Sequence, residues 1–166
     1  ATSAVSAVAC GAGADANAAI TVGARSSMLG PCRNLIIGTT RNWAKGVVMW
    51  NLALDEKNGP HLGGCGNCRG LVTINSQSGE VTREPEYYAF AHASKFVPVG
   101  AVRIASASTD RAIESVAFQN GRNGPITLIA LNDSSAERAL TFAVGSKTYS
   151  ATLSAGAVAT FKVPSN

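Results

Sequence analysis

The sequence predicts a mostly β protein, an antiparallel β-sandwich that follows a partial β/α segment. From residue 101 onward, short runs rich in β-branched and aromatic residues recur at 102–106, 113–118, 126–131, 139–144, 148–153 and 157–163. Between them stand NGRNGP, NDSSAE, VGSK and LSAG, whose Gly, Asn, Asp and Pro supply turn geometry. Before residue 100 the rhythm changes to a helical pattern, a near-continuous apolar run, a glycine-rich loop, a short strand and a second helix.

Residues 1–32 are Ala-, Gly- and Ser-rich, and such a segment buries little area per residue. It is expected to be poorly ordered, or to contribute a degenerate barrel strand of small residues, around SAVSAVA, to the β/α part. Residues 33–45 fit a helix, with Leu35, Ile36, Thr39 and Trp43 near the helical period and Gly46 closing it. GVVMWNLALD follows, apolar almost throughout. That is the signature of a strand buried on both faces, as in a parallel sheet covered by helices. Residues 71–74 read as a strand, 75–79 as a turn and 84–96 as the strongest helix, with Pro85 in its first turn, Lys95 in its last, and Tyr88, Ala91 and Phe96 on its apolar stripe. The expected divisions are a small-residue segment 1–32, a β/α part 33–100 and a sandwich 101–166.

A chain of 166 residues supports one ordinary domain, and 46% apolar against 14% charged residues excludes global disorder. The net charge of +4 is scattered, with no basic run interleaved with aromatics, so no nucleic-acid partner is expected. No apolar run approaches the roughly 18–20 residues of a membrane span. The N-terminus lacks the basic region of an intact signal peptide, which fits a cleaved leader or an internal cut.

Cys10, Cys32, Cys65 and Cys68 make an even number, consistent with secretion and two disulfides. Of the possible pairings, local closure favours Cys65–Cys68 and leaves Cys10–Cys32. A zinc site and a redox pair are the alternatives. Zinc ribbons need two CxxC pairs where this chain has one, and a thioredoxin-like CxxC opens a helix where GGCGNCRG is an irregular loop. No metal and no cofactor are expected.

NLIIGTTRNWAKGVVMWNLALDEKNGPHLGGCGNCRGLVTIN, then EPEYYAFAHASKFVPVGAVRI, then the strand series ending AVATFKV, together resemble the C-terminal portion of a glycoside hydrolase family 30 enzyme. That family includes glucosylceramidases and endo-β-1,6-glucanases, and the resemblance covers about residues 33–163. It implies that GVVMWNLALD is the last strand of a (β/α)8 barrel, GPHLGGCGNCRG its loop on the catalytic face, EPEYYAFAHASKF the last barrel helix and residues 101–164 the side β-sandwich. It implies that Trp50 lines the sugar pocket, where an indole face meets the C–H face of a pyranose. Asn51 beside it and His61 in the loop are the further candidates for contact with substrate.

The resemblance also implies retaining hydrolysis by two glutamates, which needs carboxyls roughly 5–5.5 Å apart. One belongs well upstream of this chain. The other belongs in a Thr-Glu-Cys-Ser-Gly-like stretch shortly before Asn34, where the nearest match, Val8-Ala9-Cys10-Gly11, has Ala9 in place of the nucleophile. No glutamate precedes Glu56, and Asp15 is the only acid before Asp55. The expectation is a part of a secreted β-glycosidase that supplies a pocket wall and a sandwich but no catalytic residue, inactive alone, with a β-linked glucoside or glucan as ligand. Its apolar strand would be covered by the missing barrel portion or by copies of itself. The alternative is a non-catalytic carbohydrate-binding or self-assembling β-protein of the same ancestry. His92, mid-helix beside Tyr88, reads as packing.

Overall fold

The computed structural model describes residues 6–9, 30–63 and 65–164. In chain order the elements are β1 (Ser6–Ala9), a π-helix (Pro31–Gly38) running into a short α1 (Thr39–Arg41), β2 (Ala53–Leu54), β3 (Val72–Ile74), β4 (Val81–Arg83) and α2 (Pro85–Ser94). Then come β5 (Val102–Ile104), β6 (Ile113–Gln119), β7 (Ile126–Asn132), β8 (Arg138–Val144), β9 (Lys147–Leu153) and β10 (Val158–Val163). These last strands fall where the turn spacing placed them, and the molecule is mostly antiparallel β.

The main sheet has the order β1-β10-β7-β6-β5, antiparallel throughout, and β8–β9 forms a separate hairpin. Gly145, with φ of 61°, opens the two-residue turn between β8 and β9, where a positive φ matches the twist of the strands. Side chains alternate along each strand, so the sheet has two buried faces. One carries Ile113, Ala117, Leu128, Ala130, Ala159 and Phe161 against Leu140 and Leu153 of the hairpin. The other carries Val116, Ile129, Leu131 and Val158 against Cys32, Ile36 and Ile37 of the π-helix and Ala89 of α2. The order is therefore hairpin, sheet, helices. Each fully buried Ile, Leu or Val contributes about 1.5–3 kcal/mol. β7 lies between both cores, which is why ITLIALN is apolar at nearly every position.

Asn132, fully buried at the end of β7, ties the loops together. Its Nδ2 lies 2.8 Å from the Ala136 carbonyl and 3.0 Å from those of Leu153 and Ser154. Its Oδ1 accepts from the Ser134 N–H and hydroxyl, so the buried amide is satisfied on both sides.

Several expectations are corrected. The helix of residues 33–45 is a π-helix that ends at Arg41 after one short α segment. The Thr39 N–H donates five residues back, to Asn34 O, and the Thr39 and Thr40 hydroxyls donate to the carbonyls of Leu35 and Ile36. Such back-bonding competes with the regular ladder. Trp43 is not on a buried stripe: it is exposed, has φ of 71° and lies 4.1 Å from the Arg103 guanidinium. GVVMWNLALD is not a strand buried on both faces, since only Ala53–Leu54 is β structure. It lacks neighbours on which to lie, and Val48 is 98% exposed. The buried side of α2 is Ala89 and His92, with Ala93 beside them, while Tyr88 faces outward. β4, which the sequence reading left unassigned, pairs with β3. Residues 6–9 form a strand, and it joins β10 of the sandwich rather than the β/α part.

Candidate functional site

The segment around Trp50 is held by a small mixed sheet, β2-β3-β4, in which β2 and β3 run parallel. The Leu71 N–H donates to Asn51 O at 2.9 Å and the Val72 N–H to Leu52 O at 3.0 Å, extending that pairing back to Asn51. Gly70 makes the approach possible. A Cβ there would stand 2.9 Å from Val72 O and 3.0 Å from both Ala53 Cα and Leu54 N, all backbone atoms.

Trp50 stands just before this pairing, 74% exposed, and its peptide bond to Asn51 is cis. The Asn51 side chain turns back on its own strand, where Oδ1 accepts from the Ala53 N–H at 3.3 Å. Asp55 shapes the next turn: Oδ1 accepts from the N–H groups of Lys57 and Gly59 at 2.8 and 2.7 Å, and the Asp55 N–H donates to Gly59 O. The chain then passes through the cis Gly59–Pro60 bond to exposed His61. The His61 ring lies beside Gly66, whose added Cβ would be 3.8 Å from Cε1. No hydrogen bond among the described residues joins Trp50, Asn51 and His61 to one another.

Cys65 and Cys68 form a disulfide, so neither sulfur is a thiolate available to zinc. Cys32 is buried, with Sγ 3.8 Å from Ala89 O. Cys10 lies outside the described residues, and with it the expected Cys10–Cys32 bond. Among the described residues no cluster of three metal-ligating side chains occurs. No helix there is long and apolar enough to cross a membrane.

One residue that the sequence reading passed over positions this loop. Arg69, next to the disulfide, reaches α2: Nη2 donates to both carboxylate oxygens of Glu86 at 2.8 and 3.1 Å, and Nη1 lies 3.4 Å from Glu84. Glu84 also accepts from the Thr73 hydroxyl at 2.7 Å. No local signal marked this pairing, since Arg83 stands nearer to both acids in sequence than Arg69 does. Glu56 clamps the opposite end of the sheet. The Ser76 hydroxyl and N–H donate to it at 2.6 and 2.8 Å and hold its carboxyl down at about 2.

Most of the acids among the described residues are thus engaged structurally. Asp55 and Asp110 bind turn amides, Glu84 and Glu86 share one guanidinium, and Glu114 and Asp133 share Arg33 at 2.7 and 2.9 Å. A groove of about 690 Å³ opens elsewhere, between β8 and the rim of β5 and β6, lined by Ile104, Ser106, Leu128, Thr141 and Phe142 among others. None of Trp50, Asn51 or His61 lines it.

Residues 100–161 match the glycosyl hydrolase family 30 beta sandwich domain. An endo-1,6-beta-D-glucanase of Trichoderma harzianum is 52% identical over 67 residues, which are 39% of this chain and 13% of that protein. An endo-1,6-beta-D-glucanase of Neurospora crassa is 36% identical over 104 residues, 58% of this chain and 22% of the relative. The solved endo-beta1,6-glucanase BT3312 superposes with a TM-score of 0.77 at 33% identity, covering 84% of this chain and 31% of that one. The chain spans less than a third of the length of each of these proteins. Residues 100–161 are thus similar to the family 30 beta sandwich domain, and the likeness of the chain to endo-1,6-beta-glucanases extends beyond the sandwich.

Proposed function

We propose that this chain is the C-terminal part of a secreted retaining β-glycosidase acting on β-linked glucan, in which residues 33–100 are the last strand and helices of a (β/α)8 barrel. In this reading Trp50 is the stacking platform for a glucose ring, with Asn51 and His61 at the rim, and the Cys65–Cys68 loop is braced to α2 through Arg69 so that the rim keeps its shape. The two catalytic glutamates come from polypeptide outside residues 1–166. The observation that carries the reading is the 33% identity and TM-score of 0.77 to an endo-β-1,6-glucanase over 84% of the chain.

The chemistry of the acids supports the same division of labour. A retaining site needs one carboxyl free to give a proton and a second free to attack. Glu84 with Glu86, and Glu114 with Asp133, are each bound to a single arginine, which suits a brace better than either role. The exposed Trp50 face suits a sugar, since indole stacking needs no deep pocket.

The exposure of Val48, Trp50 and Leu52 favours a second reading, a non-catalytic protein that assembles through this edge. Titrating the chain with a β-1,6-linked gluco-oligosaccharide separates the two. The expected result is a shift of the Trp50 indole N–H resonance, its loss in Trp50→Ala, and no release of reducing ends. Hydrolysis by the chain alone would overturn the assignment of the glutamates elsewhere. Concentration-dependent assembly with no response of Trp50 to sugar favours the second reading.

A further inference from the structure

The two cores of the sheet differ in one chemical respect. The buried cluster under the hairpin is made of hydrophobic residues, with Tyr149 stacked on Phe142 at its margin. The face under the helices contains His92 of α2, which is 2% exposed. Its Nδ1 lies 2.7 Å from Thr160 Oγ1, in the middle of β10. Its Nε2 is buried with no hydrogen-bond partner. One protonation state fits that setting, the neutral ring with its proton on Nδ1 donated to Thr160 and a bare lone pair at Nε2. A second proton would place both an N–H and a charge where no acceptor stands.

The charged groups around the seam offer no relief. On the π-helix, Arg33 is committed to Glu114 of β6 and to Asp133, and Cys32 packs against Ala89. On α2 itself, Glu86 is held by Arg69, as is Glu84 just before it. Tyr87 lies under Arg83 and edge-on to Tyr88, and Lys95 sits over Phe96. On β10, Lys162 shares the Thr160 face but is exposed at its end. The β7 residues on this face, Thr127, Ile129 and Leu131, do not titrate, and β1 has no titratable side chain.

We propose that His92 makes the seam between the helices and the five-stranded sheet acid-labile, so that proton uptake releases the π-helix and α2 while the core under the hairpin stays closed. Burial lowers the His92 pKa from 6.5 to about 4, so the ring takes its proton far more readily once the seam has parted. The helices flank the segment that bears Trp50, so the seam also sets how firmly that segment is seated on the sandwich.

Hydrogen exchange of the 166-residue chain, read as protection factors between about pH 7 and pH 4.5, tests this. Protection over 31–41 and 85–97 should fall at least about tenfold while that of β8 and β9 holds within about twofold. His92→Asn, whose amide can reach Thr160 without taking up a proton, should abolish the fall. Should that variant not fold, the wild-type imidazole resonances still decide. A ring that stays neutral until the helical amides exchange supports the seam, and one titrating near its ordinary value with the helices intact contradicts it. Helices and hairpin losing protection together, helices unchanged to pH 4.5, or the Asn variant following the wild-type curve would each overturn the proposal.

Discussion

VVMWNLAL at 47–54 and ITLIALN at 126–132 are both near-continuous apolar runs, and on composition either could be a strand buried on two faces. The second becomes β7, with β6 and β10 on its two edges, the hairpin over one face and the helices over the other. The first gains regular pairing only at Ala53–Leu54, on one edge, and leaves Val48, Trp50 and Leu52 in solvent. Burial belongs to the partnership and not to the run. β7 has its partners within residues 101–164 and the π-helix. The partners of 47–54, in the proposed function, belong to the rest of a barrel and to a sugar.

Ways to break that contrast follow in order of size. Leu131→Ala, at a fully buried site on β7, should cost about 3–5 kcal/mol in denaturant unfolding. Acidification is next. The folded-state pKa of His92 is depressed from 6.5 to about 4, so its contribution is whole above pH 6.5 and is lost as pH falls through that window, by roughly 3 kcal/mol in all. Unfolding midpoints measured across the window should fall in the wild type and stay flat in His92→Asn.

Gly70→Ala should cost about 1–3 kcal/mol of local stability by overpacking, because its Cβ meets three backbone atoms at 2.9–3.0 Å. The amides of Leu71 and Val72 should lose protection while those of β6 and β7 keep theirs. Val48→Ala should change stability by less than about 0.5 kcal/mol, since Val48 is already exposed. A large loss there would mean that the run has a partner within the chain.

The sandwich was legible because its information is local. Alternating β-formers and turn residues repeat along 101–164, and strand existence follows from them without knowledge of what lies opposite. The disulfide was legible for a similar reason, since a four-residue ring leaves Cys65 few rivals to Cys68. Two things were not legible. One was the face of α2: Tyr88, Ala91 and Phe96 made a plausible stripe, but the sheet accepts the small Ala89 and the Thr160-bonded His92, because helix and sheet approach closely there. The other was the side-chain bracing around the candidate site. Arg69 reaches across 17 residues to Glu86, and nothing in the local sequence marks which acid it will find. The candidate residues Trp50, Asn51 and His61 came from the family resemblance, and periodicity alone would have buried the first of them.

The chain has two tryptophans. In Trp43→Phe the remaining emission reports directly on whether the 47–54 run is uncovered in a folded sandwich. The account predicts solvent-like red emission from Trp50, open to acrylamide quenching, under conditions where the β-sheet circular dichroism is intact. Blue-shifted emission shielded from the quencher in the folded monomer would contradict it.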